Sequence, residues 1–398
     1  MSVTPQAPAA TVAEAIARID RNDAQLQAWI YVDRDAARTV PANGPLAGMP
    51  FGVKDIIEVS GMPTRYGLEN FGIAAAPIDA WCVAALRAAG AVPVGKTHST
   101  ALAFRDPAPT RNPHNLEHTP GGSSAGSAAA VGAGHVPFAL ATQTLGSTVR
   151  PAAFCGVVGY KPTHGTIPGQ GVTPQAPTFD TVGIIAANMQ ITAQVAAVFL
   201  AGLDTEPTGA PRIAYAPGAF ADRFEPAVLG ALQATADGVA AAGATVERID
   251  APAIAGEAIA PHWTISTFEA NAVLRPLRVY GFPPLLDAFI AAAPETTYDM
   301  YRAALEFRAR TRTQIAALLA RYDVLLLACA NPAPGLDSTG DVVPFMPWTF
   351  WGLPVLTLPV ARSAAGLPIG VQLVAAPGAD ATLLRAARWI ERSIAARG

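Results

Sequence analysis

From Thr119 to Val149 the chain runs without a single Asp, Glu, Lys or Arg, and the segment is dense in Gly, Ala and Ser. So long an uncharged run does not sit on the surface of a globular protein; it belongs in a bilayer or in a folded interior. Pro120, Pro137 and repeated glycines cut it into pieces too short to span a membrane, which leaves buried strand and helix segments. A second uncharged run, Thr181 to Leu203, carries Asn188, Gln190 and Gln194 and reads the same way. No membrane association is expected. Keeping both runs dry takes a large core, and a chain of 398 residues, 51% hydrophobic and 14% charged, can build one.

Around these runs, short apolar stretches alternate with helical patterns. Strand candidates are Ala91 to Gly95, Val136 to Thr142, Arg212 to Pro217, Ala244 to Ile249, Asp323 to Ala330, Val355 to Val360 and Gly370 to Ala376. Three-to-four spacing of apolar residues marks helices over Ile78 to Gly90, Pro226 to Ala242, Tyr298 to Ala320 and Ala379 to Ala396. The alternation predicts an α/β protein, helices layered on a largely buried sheet. No repeat, charge block or long linker divides the chain, so residues 1–398 are expected to form a single domain. A mostly helical, proline-punctuated region around 252–322 is expected to cover a pocket.

Bulk properties narrow the function. A net charge of -3 offers no basic field of the kind nucleic-acid binders use, so a small-molecule substrate and no nucleic acid are expected. The N-terminus shows no basic segment leading into an apolar one, and Cys82, Cys155 and Cys329 are odd in number and widely spaced. A cytoplasmic protein without a disulfide framework or zinc site fits this pattern.

Two motifs match functional patterns but lack their context. GAVPVGKT (Gly90 to Thr97) fits the phosphate-binding G-x-x-x-x-G-K-[ST] letter for letter, yet its middle is an extended apolar segment following a helix, which cannot wrap a phosphate. HNLEH (His114 to His118) fits a zinc-peptidase pattern that needs a helix, whereas Pro113, Pro120, Gly121 and Gly122 make this stretch a loop. No metal or other cofactor is expected.

A third constellation is Lys54 in FGVKD, Ser123 in GGSSAGS and Ser147 in TLGSTVR. Singly, each has an ordinary reading as a surface lysine, a helix cap or a turn serine. Lys54, however, lies among Phe51, Val53, Ile56 and Ile57, and a lysine buried there approaches neutrality and becomes a base.

The segments GPLAGMPFGVKDIIEVSGMPTRYG, GAVPVGKTHSTALAF and TRNPHNLEHTPGGSSAGSAAAVGAGHVPFALATQTLGSTVRPAAFCGVVGYKPTHG closely resemble the amidase signature family, as does the C-terminal WTFWGLPVLTLPVARSAAGLPIGVQLVAAPGADATLLRAARWIE. The resemblance implies that family's fold, an α/β/α sandwich around a large mixed sheet. It implies a catalytic triad of Lys54, Ser123 on a cis peptide bond, and the nucleophile Ser147. It implies an oxyanion hole from the backbone of Thr144, Leu145, Gly146 and Ser147, and substrate-binding positions at Arg150 and Gly122. The spacing from Ser147 to Arg150 resembles compact malonamidase-like members, where the arginine suits a substrate carboxylate; an arginine bracing the loop is the alternative.

Two positions depart from the family's usual residues. Gln143 stands where Asp is common, and Leu145 stands where Gly is common, which is costly if the backbone there needs a positive φ. The activity expected is hydrolysis of a small linear amide through an acyl-enzyme on Ser147, by a chain that could be a homodimer. Two alternatives stay open: a glutaminase-like subunit of a tRNA-dependent amidotransferase, and a catalytically degenerate member with a binding role only.

Overall fold

The computed structural model describes residues 9–68, 71 and 74–395. Its strands are β1 (Trp29–Val32), β2 (Pro50–Lys54), β3 (Val92–Thr97), β4 (Phe138–Gln143), β5 (Val158–Lys161), β6 (Thr181–Ala186), β7 (Arg212–Tyr215), β8 (Thr245–Arg248), β9 (Val324–Ala328), β10 (Val355–Arg362) and β11 (Pro368–Val374). All join one sheet in the order β1-β3-β2-β4-β6-β5-β10-β11-β9-β7-β8. The pairings β3/β2/β4 and β9/β7/β8 are parallel and the others antiparallel, so the sheet is mixed, as expected.

Alternation along the strands sends side chains to two faces, and each face is covered by helices. Phe51, Val53, Phe138, Leu140, Val182, Ile184, Leu326 and Leu373 pack with helices Trp81–Ala88, Met189–Phe199, Pro226–Ala241 and Asp380–Ala395. Ala139, Ala141 and Ile185 face the other way, against Val12–Leu26 and Ala125–Gly132. On that same side Leu325, Leu327, Val355 and Val374 meet helices Ile259–Leu274 and Tyr298–Leu319. This is the expected α/β/α sandwich.

The uncharged run is the centre of it. Helix Ala125–Gly132 is buried on every side, and its small residues are what allow this. A Cβ on Gly126 would lie 2.2 Å from the Ala28 carbonyl oxygen and 2.4 Å from the His98 nitrogen, so no larger residue fits. Gly121, just before it, holds φ +85°, a left-handed turn that glycine adopts without penalty.

Neither motif match takes the setting that its pattern requires. Gly90 to Thr97 contains β3, whose Lys96 is buried beside Asp55 at 3.4 Å and cannot reach a phosphate. His114 lies in a turn and His118 on an isolated β-bridge to Gly335, and their rings meet different backbone oxygens, those of Cys155 and Ala333. Strands β1, β2 and β5 are absent from the apolar-run reading, and β3 runs two residues past its expected end. The reason is common to three of them: Lys54, Lys96 and Lys161 look like surface residues in sequence, yet all three are fully buried.

The region around 252–322 folds into helices Ala253–Glu257, Ile259–Leu274, Pro284–Ala292 and Tyr298–Leu319. Tyr298–Leu319 begins with Thr297 accepting the Met300 N–H, an ordinary N-cap. No helix of the described residues is long and apolar enough to cross a membrane.

Candidate active site

Parallel strands β2 and β4 place their carboxyl ends side by side, at the edge where ligands gather in open α/β sheets. Lys54 is the last residue of β2 and Gln143 the last of β4. The Lys54 Nζ donates to Ser123 Oγ and to Thr142 Oγ1, each at 2.7 Å. Burial drives its pKa well below the ordinary lysine value, against a smaller opposing pull from the Asp180 carboxylate. Lowered proton affinity and contact with a hydroxyl are the two features that a lysine needs to serve as a base.

The Gly122–Ser123 peptide bond is cis. Gly122 is in close quarters: a Cβ there would meet the methyl groups of Thr339 at 2.9 Å and Thr100 at 3.0 Å. Ser123 is anchored from behind, its carbonyl accepting the Thr100 N–H. Ser147 lies across the site with 8% of its surface exposed. Among the described residues no hydrogen bond joins Ser147 to Ser123, so the structure brings Lys54 and Ser123 into contact and leaves the Ser147 hydroxyl open.

Thr144 to Ser147 form a tight turn between β4 and helix Val149–Phe154. Three of its carbonyls are engaged. The Thr144 oxygen lies 3.0 Å from the His262 Nε2, the Leu145 oxygen accepts from Thr349 Oγ1 at 2.9 Å, and the Gly146 oxygen accepts the Arg150 N–H at 3.0 Å. The N–H groups of Leu145, Gly146 and Ser147 have no protein acceptor among the described residues. N–H groups without a protein acceptor, on a turn whose carbonyls are held, are what an oxyanion hole requires.

Gln143 and Leu145 fit this turn without distortion. The Gln143 Oε1 accepts the N–H groups of Thr148 (3.0 Å) and Val149 (3.1 Å), and its Nε2 donates to Thr349 Oγ1 at 2.9 Å. An amide suits this place because it must accept on one side and donate on the other. Leu145 is absent from the positive-φ residues, so its backbone needs no glycine, and its side chain packs with Val342, Met346 and Trp263.

Arg150 is buried, donating through its two terminal nitrogens to the Gly340 oxygen (3.1 Å) and the Gly122 oxygen (2.7 Å). It makes no ion pair among the described residues. Burial, and then the neighbouring Arg105 charge, lowers its proton affinity.

A cavity of about 320 Å³ abuts Thr142 and Thr144 and carries Asp180, His164 and Gln175 among apolar residues such as Ile167 and Val172. Asp180 accepts the Thr144 hydroxyl at 2.5 Å and the N–H groups of Gln175 and Ala176. Thr142, Asp180, His262 and Thr349 are therefore parts of the site that the sequence does not single out. Thr142 had a signal, lying on the strand that leads into the Thr144 to Ser147 turn. Thr349 and His262 meet the turn from 204 and 118 residues away, and nothing local marks them.

The model of the Amidase family matches residues 10–384. The chain belongs to the amidase signature family. The A subunit of glutamyl-tRNA(Gln) amidotransferase from Exiguobacterium sibiricum is 30% identical, with 96% of this chain and 92% of that protein covered. Its counterpart from Methanosarcina barkeri is 32% identical over 88% and 86%. Among solved structures, an amidase superposes with a TM-score of 0.88 at 28% identity, covering 97% of this chain and 96% of its own. The A subunit of the Thermotoga maritima glutamyl-tRNA(Gln) amidotransferase gives 0.81 at 28%, covering 95% and 90%.

The amidotransferase relatives correct one expectation. A small-molecule substrate and no nucleic acid were read from the chain's balance of charge, whereas these two relatives are subunits of enzymes named for a charged tRNA. Net charge describes one chain, and a member of a nucleic-acid-handling assembly needs no basic field of its own when another member supplies it. In this amidase signature chain the acidic balance therefore excludes less than it seemed to.

Proposed function

We propose that the chain cleaves the C–N bond of a carboxamide through an acyl-enzyme on Ser147, as the glutaminase-like component of a tRNA-dependent amidotransferase. The observation that carries the chemistry is the contact of a buried Lys54 amine with the Ser123 hydroxyl, beside a turn whose N–H groups are free. Relatedness over nearly the whole length to amidotransferase A subunits supports the setting.

In this reading neutral Lys54 takes the Ser123 proton, Ser123 takes that of Ser147, and the Ser147 oxygen adds to the amide carbon. The developing oxyanion is held by the turn, where each donor contributes about 3 kcal/mol. As the C–N bond breaks, the nitrogen leaves as ammonia carrying the relayed proton, and water then frees Ser147 by the reverse relay. Ser147 reaches Ser123 by turning its hydroxyl once substrate is seated. Arg150 acts as a brace, tying the turn to the backbone of Gly122 and Gly340.

The test is a reconstituted tRNA-dependent amidotransferase in which this chain replaces the resident A subunit. Glutamine-dependent amidation of the charged tRNA, lost in Ser147→Ala, is the expected result. Ammonia release from other carboxamides with none from glutamine would keep the chemistry and overturn the setting.

A further inference from the structure

A second cleft, of about 510 Å³, lies outside the carboxyl end of β3, between the sheet and the helical cover. Its walls bring together Arg65, His98, Asp106, Tyr280 and Phe282. Both basic groups sit on anchored backbone. The Arg65 N–H is held by the Asp55 carboxylate, while the His98 N–H donates to Ala28 and its carbonyl accepts from Gly126. Their side chains, by contrast, are idle: neither the Arg65 guanidinium nor either His98 ring nitrogen has a hydrogen-bond or ion-pair partner among the described residues.

The acid on the same wall does not answer them. Both Asp106 oxygens are taken by the N–H groups of Leu285 and Leu286, at 2.9 Å each, at the start of helix Pro284–Ala292. The cleft therefore offers two uncommitted cationic or hydrogen-donating groups, an otherwise occupied carboxylate and two aromatic rings. A guanidinium presents a planar fork that matches a carboxylate with two parallel bonds, and an imidazole adds a third donor. We propose that this cleft is a binding site for a carboxylate, gripped by Arg65 and His98, with the ligand's apolar body against Tyr280 and Phe282. Thr100 forms part of its wall and also bonds Ser123, which puts the site one residue from the relay.

Calorimetric titration of glutarate into the intact chain tests this directly. Expected is saturable binding, unchanged in Ser147→Ala, weakened about tenfold or more in Arg65→Gln and severalfold in His98→Gln. The neutral glutaramide should not compete with it. Should a variant misfold, the His98 ring resonances of the wild-type protein serve instead, and glutarate should shift them. If glutarate slows ammonia release and rising glutamine relieves this, the carboxylate is the substrate's own; if glutamine does not relieve it, the carboxylate belongs to a separate effector. No binding, equal binding by both variants, or unmoved His98 resonances would overturn the proposal.

Discussion

At the scale of single residues, Lys54 governs the pH dependence. A protonated amine cannot accept the Ser123 proton, so the rate should be low in acid and rise as Lys54 loses its proton. Burial lowers that pKa, and the rise should fall well below the free-lysine value of about 10.4. A rate that is flat with pH, or that climbs only near the free-lysine value, would count against Lys54 as the base. Lys54→Ala should lose about 10³-fold or more, as the relay then ends on no acceptor. Asp180 refines the prediction. Its negative charge supports the protonated lysine, so Asp180→Asn should move the rising limb to lower pH, an effect that a general loss of stability would not produce. Much at this scale is legible in sequence: the triad positions carry family motifs, and apolar neighbours around Lys54 announce a buried amine. Asp180 carries no such mark, because its position beside Thr144 arises only when β6 pairs with β4.

Among elements, the turn after β4 is where distant parts of the chain converge. Gln143 holds its far side, Thr349 and His262 hold its carbonyls, and Arg150 ties it to the cis peptide. Gln143→Ala would strand two buried N–H groups, those of Thr148 and Val149, at roughly 1–3 kcal/mol each, while the Thr349 hydroxyl keeps its bond to the Leu145 oxygen, so a loss of a few kcal/mol in chemical denaturation is expected together with a lower kcat. Arg150→Lys gives a sharper contrast. A brace replaced by a single point of charge should lower the melting temperature and reduce kcat alike for carboxylate-bearing and neutral amides. A rise in KM confined to carboxylate-bearing amides would instead assign Arg150 to substrate. His262 lies fully buried between the oxygens of Thr144 and Met346, and burial lowers its pKa to about 3, so the neutral ring donates to one of them. The strand and helix periods were readable for most elements. Periodicity did not supply β1, β2 or β5; the last two each end in a lysine that only the finished core explains.

Across the whole molecule, the sheet does the positioning. Its central parallel strands bring Lys54 and the turn after β4 together, the segment leading into the buried helix Ala125–Gly132 supplies Ser123, and helix Ile259–Leu274 reaches the turn through His262. The uncharged run from Thr119 to Val149 made this interior foreseeable, since nothing else would keep it dry. The likeness to amidotransferase A subunits was not foreseeable from charge, because net charge says nothing of which larger enzymes a chain's relatives belong to. The central claim is that Ser147 is an activated nucleophile served by Ser123 and Lys54. Intact-mass spectrometry after exposure to a fluorophosphonate, with the modified residue located by peptide mapping, tests it most directly. The account predicts one adduct per chain, on Ser147, formed far more slowly in Lys54→Ala and Ser123→Ala and absent in Ser147→Ala. An unmodified wild-type chain, an adduct on another residue, or labelling of Ser147 at the same rate in the Lys54 variant would contradict it.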